Sequence, residues 1–399
     1  MGGAAGGGAG FYALDVTNPD APKGLWEFCS SASLCAVSDT DLGLAYGNPI
    51  IGKRAYDGRW VVVLSSGLNN TTGSNPGVGY FYVLDAITGA LLHKVSTGAG
   101  SVTTPSGLMK MSAYFDNAAS DATFRYVYAG DQLGNVWRLD MLAAPTAPAT
   151  VASPRPAPTV LHLASLKDAS GTPRAQPITT RPTLTHIGTT RIIYVGTGRF
   201  LGSPDLTDPG ASSGIAWQQS LYAFKDKDAD YGSTNFRTDA TLLQQTLSSL
   251  SPTTRGITAN ATTMDWATKD GWYIDFNPSF AGVPNSPGEG VNLVDPKLVL
   301  GTLVVTTNAP SQGSSSCSVG GSSFAYNFDF KTGLAVSSSA GGVVGSSLGG
   351  TITVGVAIVQ LPSGAIKSIN TGADTSKTTE SVNTSASGAA VKRFSYRTR

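Results

Sequence analysis

Three acidic side chains at alternate positions, Asp226, Asp228 and Asp230, come nearest in this chain to the spacing of a metal site. A calcium loop presents carboxylates in this one, three, five order, and the ion takes roughly six to eight oxygen ligands. The pattern then departs from an EF-hand: the glycine, Gly232, comes one position late, and Arg237 stands where the bidentate glutamate belongs. A solvated acidic loop following a strand accounts for the same residues. The three histidines, His93, His162 and His186, are isolated from one another in sequence. They form no H-x-x-x-H pair and no Ser-His-Asp order that would argue for a metal or a nucleophile. Gly196-Thr197-Gly198-Arg199 lacks the Lys-Ser/Thr and the following helix of a phosphate loop, so it reads as a strand-ending turn. Cys29 and Cys35 are spaced for a short disulfide loop in an oxidising compartment, with a pair of exposed thiols as the alternative; Cys317 is the odd one. Six tryptophans could stack on sugars, but most lie in strand-like motifs where a large ring packs; Trp217, in a polar loop beside Gln218 and Gln219, is the exception.

The elements that must position these groups announce themselves by repetition. An aromatic residue, a spacer, an aliphatic or aromatic residue and Asp recur in Tyr12–Asp15, Tyr82–Asp85, Trp137–Asp140 and Tyr326–Asp329, with an imperfect copy at Tyr222–Lys225. Two copies run into Asp85-Ala86-Ile87-Thr88-Gly89 and Asp329-Phe330-Lys331-Thr332-Gly333. Alternating bulky residues suit a half-buried strand, and Asp-x-x-Thr-Gly supplies side-chain acceptors and a left-handed glycine for the turn after it. The marker recurs at intervals of about 55 to 105 residues, as expected of a supersecondary unit repeated with insertions.

The bulk numbers agree. In 399 residues there are 48 Gly and 22 Pro, while charged residues make up 13%, a turn-rich and charge-poor balance that favours many short strands. The fold class is all-β, and the length suits a β-propeller of about seven blades treated as a single domain over 1–399. A net charge of +1 gives no reason to expect a nucleic-acid partner. No stretch approaches the ~20 apolar residues of a spanning helix. Residues 1–10 read as a glycine-rich lead-in, 141–158 as a Pro/Ala-rich connection, and 371–390 as a mobile segment. A short helix is expected around Asp239 to Leu250. The β-branched run Thr351–Val359 is expected to close the ring against the N-terminal blade.

Several motifs are more specific. Tyr12-Ala13-Leu14-Asp15-Val16-Thr17-Asn18-Pro19, the run from Tyr128-Ala129-Gly130-Asp131 to Asp140, Val195–Gly202, Trp266–Phe276 and Cys317–Gly321 together resemble the PilC/PilY family of type IV pilus tip-associated proteins. The resemblance is to the family's C-terminal domain. It implies a modified seven-bladed, quinoprotein-like β-propeller, an N-terminal adhesion region absent from this chain, and a place at the pilus tip or outer-membrane surface. It further implies work with minor pilins in assembly, retraction control and adhesion to host or abiotic surfaces, without catalysis. The family's calcium loop would fall on Asn117, Ala119, Asp121 and Arg125, where an arginine replaces the final carboxylate and would repel the ion. The resemblance thus implies calcium at this loop, and the arginine argues against it. A quinoprotein dehydrogenase and a lectin-like propeller are the alternatives, since one architecture carries many functions.

Overall fold

The computed structural model describes residues 8–55, 57–115, 120–142, 157–169, 172–206, 217–231, 235–276, 288–312 and 319–384. Two compact units make up the chain, Met1–Ser165 with Asp228–Ser233 and Phe394–Arg399, and Leu166–Lys227 with Thr234–Arg393.

In the first unit, β1 (Gly10–Asp15), β2 (Lys23–Cys29) and β3 (Val37–Ser38) form a small sheet in that order. A second sheet takes β4 (Ile50–Arg54), β5 (Trp60–Ser65), β6 (Tyr80–Asp85), β7 (Leu91–Ser96), β8 (Met111–Phe115), β9 (Thr123–Gly130), β10 (Asn135–Asp140) and β11 (Thr159–Ser165). Its order is β11-β10-β9-β4-β5-β6-β7, with β8 also on β9. β6 is buried at every position. Phe81 and Val83 pack with Val127, Trp137 and Leu139 on one face, while Tyr80, Tyr82 and Leu84 pack with Phe28 and Leu42 on the other. Burial on both faces explains why Tyr-Phe-Tyr-Val-Leu is a continuous apolar run instead of an alternating one.

The second unit opens with β12 (Thr183–Ile187), β13 (Thr190–Gly196) and β14 (Ser220–Lys225), followed by one four-residue helix, α1 (Phe236–Asp239). Next come β15 (Leu242–Ser249), β16 (Thr254–Thr258), β17 (Gly271–Asp275), β18 (Lys297–Val299), β19 (Thr302–Gln312), β20 (Val319–Asp329) and β21 (Val343–Gly349). These strands form one curled sheet in the order β12-β13-β14-β17-β15-β16-β21-β20-β19-β18. β22 (Thr353–Gln360), β23 (Ile366–Gly372) and β24 (Lys377–Ser381) make a separate three-stranded sheet. Its Ile366 and Val382 bury against Val304.

Three expectations change here. The helix expected from Asp239 to Leu250 is instead β15, preceded by α1: Leu243 and Gln245 are buried while Gln244 and Thr246 are exposed, and β15 pairs in parallel with β17 and antiparallel with β16. Straight-chain Leu and Gln favour a helix locally, but pairing on two sides overrides that preference. The run expected to close against the N-terminal blade becomes β22, whose strand neighbour among the described residues is β23. The stretch 371–390 holds the end of β23 and all of β24, and its residues 385–390 lie outside the described ones.

Candidate functional site

The repeated motif builds one device twice. Asp85 Oδ1 accepts from the Ile87 and Thr88 amides at 3.0 and 2.8 Å and from Thr88 Oγ1 at 3.0 Å. Asp329 Oδ1 accepts from the Lys331 and Thr332 amides at 3.1 and 3.0 Å and from Thr332 Oγ1 at 2.9 Å. Gly89 and Gly333 close the turns at φ 70° and 71°, a conformation that a side chain rarely adopts. A tryptophan then lies on each turn. Trp26 Nε1 donates to Ala86 O at 3.0 Å, and Trp272 and Trp266 both donate to Lys331 O, at 3.1 and 2.8 Å.

Asp131 does related work inside the Tyr128–Asp140 motif. It is fully buried and accepts from the Leu133 and Asn135 amides, Asn135 Nδ2, Ser106 Oγ and Trp137 Nε1, all within 3.1 Å. Burial pushes its pKa up against these hydrogen bonds. Trp137 stacks on His162 at 4.4 Å between ring centroids. Ser165 Oγ is 3.2 Å from His162 Nε2, but Ser165 is buried and its hydroxyl donates to Asn135 Oδ1, so the pair is an interior contact. On β7, burial and then Arg54 depress the pKa of His93; on β12, burial and then Arg191 depress that of His186.

The acidic loop is divided among basic partners. Asp226, with a buried side chain, pairs with Arg191 at 3.2 Å, whereas Asp228 pairs with the buried Arg138. Asp230 is exposed. Arg237, the residue standing in for the EF-hand glutamate, turns inward from α1. It grips Asp275 with both terminal nitrogens at 2.8 and 2.9 Å, donates to Tyr222 Oη at 2.7 Å and Ser220 Oγ at 3.0 Å, and lies 4.4 Å from the Tyr273 ring centroid. Guanidinium groups supply the positive charge that the sequence pattern suggested a cation would bring. Among the described residues, no three His, Cys, Asp or Glu side chains are grouped to hold a metal ion.

The second calcium candidate fares similarly. Asn117 and Ala119 lie outside the described residues, while Asp121 Oδ1 is engaged by the Thr123 amide and hydroxyl at 3.1 and 2.7 Å. Arg125 makes two 2.9 Å bonds to Asp140, tying β9 to the end of β10. With a guanidinium at the position of the last ligand, the described part of this donor set does not fit calcium.

Cys29 and Cys35 form a disulfide, with Cα atoms 5.9 Å apart, joining the end of β2 to the loop before β3. Cys317 lies outside the described residues. Gly196–Arg199 is a strand-ending turn: Thr197 exchanges bonds with Ser220, and Arg199 pairs with Asp205 at 2.7 Å. Trp217 is flanked by the Arg174 and Arg199 guanidiniums, 6.0 and 5.7 Å from its ring.

Three polar centres escaped sequence reasoning: Arg237 with Asp275, Asn308, and Glu289. Asn308 is fully buried; its Oδ1 accepts from Ser323 Oγ and the Thr353 amide, both at 2.7 Å, which fastens β22 to β19 and β20. Glu289 Oε1 accepts from Thr307 Oγ1 and Tyr326 Oη at 2.6 Å each, and burial raises its pKa. Each centre joins segments that are well separated in the chain, as Arg237 joins β14 and β17, so no local pattern flagged them.

The sequence profile of the PilY1 beta-propeller domain matches residues 1–260. The type IV pilus biogenesis factor PilY1 of Pseudomonas aeruginosa PAO1 is 30% identical over 356 residues, covering 82% of this chain and 28% of that protein. A type IV pilus biogenesis factor PilY1 homolog of Xylella fastidiosa is 26% identical over 402 residues, covering 98% of this chain and 29% of that protein. The chain thus spans less than a third of the length of these relatives. The crystal structure of the Pseudomonas aeruginosa PilY1 C-terminal domain matches with a TM-score of 0.68 at 23% identity, covering 94% of this chain and 78% of that one, a likeness of fold. The all-β chain has a β-propeller fold and belongs to the PilY1 beta-propeller domain family.

Proposed function

We propose that this propeller is a non-enzymatic docking module of the type IV pilus apparatus. It would act in pilus assembly and retraction control by engaging minor pilins, and would support adhesion at the pilus tip or outer-membrane surface. The observation that carries this reading is the kinship to proteins named type IV pilus biogenesis factors. Its loops are supported by turns whose acidic and hydroxyl groups are spent on the backbone, which leaves a rigid platform suited to binding. A seven-bladed arrangement, and further regions elsewhere in the parent protein, belong to the same proposal.

The test is to replace the corresponding domain in a piliated bacterium with this one, then score surface pili and co-purification with minor pilins. Retained pili and recovered pilins are the expected result. Absence of both from a stably expressed protein, or a bound quinone chromophore with dye-linked alcohol oxidation, would sink the reading.

A further inference from the structure

Lys94 reaches from β7 to a pair of carboxylates supplied by the loop before β4. Its Nζ lies 2.6 Å from Asp41 Oδ2, 2.8 Å from Asp39 Oδ1 and 4.4 Å from the centroid of the Tyr80 ring. Asp41 is fully buried, and the side chains of Asp39 and Lys94 are 15% and 27% exposed. Asp39 Oδ1 also accepts from the Asp41 amide at 2.9 Å and from Tyr82 Oη at 3.2 Å, which fixes it beside the amine.

The other oxygen of Asp41 has different partners. Asp41 Oδ1 accepts from the Asn75 amide at 2.8 Å and from the Ser74 amide. The loop backbone comes so close that a Cβ at Gly73 would fall 1.9 Å from that oxygen. Backbone N–H groups on one carboxyl oxygen, with an amine on the other, are the parts of an acyl-transfer site. They supply an oxyanion hole, an electrophilic carbon and a nucleophile, and Asp39 stands where a proton carrier is needed.

We infer that Lys94 and Asp41 condense after folding into an amide that joins β7 to the loop before β4. Asp39 takes a proton from the ammonium, and the freed Nζ lone pair attacks Asp41 Cγ. The negative charge that grows on Oδ1 is held by the Asn75 and Ser74 amides. The bond from Cγ to Oδ2 then breaks, and Oδ2 leaves as water with two of the three ammonium hydrogens, both relayed by Asp39. The third stays on the amide nitrogen, Asp39 ends as a carboxylate, and no oxidant or cofactor enters. Burial alone would lower the Lys94 pKa, but hydrogen bonds to both carboxylates outweigh it and raise it. The free amine therefore arises by proton transfer inside the cluster, and the bond forms slowly, once, in a geometry that the fold holds ready. The link closes a span of 53 positions containing β4, β5 and β6, and the inference stands independently of the docking function.

Mass spectrometry of the purified full chain tests it without a variant. The reduced, denatured protein is expected to weigh less than its sequence by one water. Its tryptic digest is expected to hold the Asp41 peptide joined to one left uncut at Lys94. Lys94→Arg, which keeps the charge but cannot form the bond, and Asp39→Asn, which removes the proton carrier, should both return to the full mass. A full mass in the unaltered chain overturns the proposal. So does a water lost without the joined peptides, the mark of an aspartyl succinimide, or a water loss that persists in either variant.

Discussion

The two Asp-x-x-Thr-Gly turns are nearly identical in their own hydrogen bonds and differ in what lies against them. At Asp85–Gly89 the support comes from a half-buried Trp26 and from Arg59, itself 45% exposed, which reaches Asp85 Oδ2 at 2.6 Å. At Asp329–Gly333 it comes from a fully buried Trp272, from Trp266 on the same carbonyl, and from Gln245 Nε2 on Thr332 O at 2.9 Å. Five residues thus fix the turn, but the elements brought against it decide how much depends on it. The first turn is held partly by charge at the surface, and the second by indoles and an amide packed into the core.

Removing the tryptophans gives the largest contrast. Trp272→Ala should cost roughly 3–5 kcal/mol, the range for emptying a buried aromatic site, and Trp26→Ala about 1–2 kcal/mol because less surface is lost. Denaturant midpoints of the two variants measure this. Equal losses would mean that the two turns are equivalent and that depth does not matter.

The glycines sharpen the same contrast at smaller magnitude. An added Cβ would fall 2.7 Å from Trp272 Cε3 at Gly333 and 2.4 Å from Trp26 Cγ at Gly89, and the positive φ adds about 1–2 kcal/mol of strain at either position. At Gly89 the atoms met are the stem of Trp26, Cγ at 2.4 Å and Cβ at 2.6 Å, which the ring cannot carry away by turning toward solvent, so Gly89→Ala should be the more damaging, the reverse of the tryptophan order. In a Trp272→Ala background Gly333→Ala should fall to the strain alone, whereas in Trp26→Ala the remaining Cβ still lies 2.6 Å from the methyl added at Gly89. A double-mutant cycle isolates the clash between the two groups.

Acid probes the Asp85 turn in a third way. Burial alone would raise the pKa of Asp85, but the Thr88 amide, Arg59 and the Thr88 hydroxyl outweigh it and bring the pKa down to about 2 from an ordinary 3.8. Because the folded pKa is depressed, the stabilisation is present above pH ~4 and is lost as pH falls through about 2. Asp85→Asn should remove that part of the acid slope while leaving the turn able to accept the Thr88 amide. An unchanged slope between pH 4 and 2 would show that the Asp85 carboxylate does not carry this part of the stability.

These contrasts explain which features were readable from sequence. The turns were, because Asp, Thr and Gly act within five residues, and so was the Cys29–Cys35 loop. The strands β5, β6, β9, β10 and β20 stood out as bulky runs. β15 was misread because its neighbours β16 and β17 supply the reason for its conformation. Asp226 and Asp228 looked like ligands because the arginines that claim them, Arg191 and Arg138, lie 35 and 90 positions away. Spacing records what a segment can do alone, and ion pairs across a unit are set by the fold.

The smallest expected effect concerns calcium, and it extends the comparison to the loop before β9. Asp121, like Asp85 and Asp329, spends its carboxylate on a neighbouring threonine, and Arg125 places a cation where a ligand would be needed. A specific site on the folded chain would add about 2.7 kcal/mol at a hundred times its dissociation constant. Titrating calcium into chelator-treated protein should therefore give no saturable heat and should leave the denaturant midpoint where it was. A stoichiometric signal that survives Asp226→Asn/Asp228→Asn but disappears with Asp121→Asn would restore the loop as a binding site, and would show that its carboxylate can be withdrawn from Thr123, as those of the two turns are not.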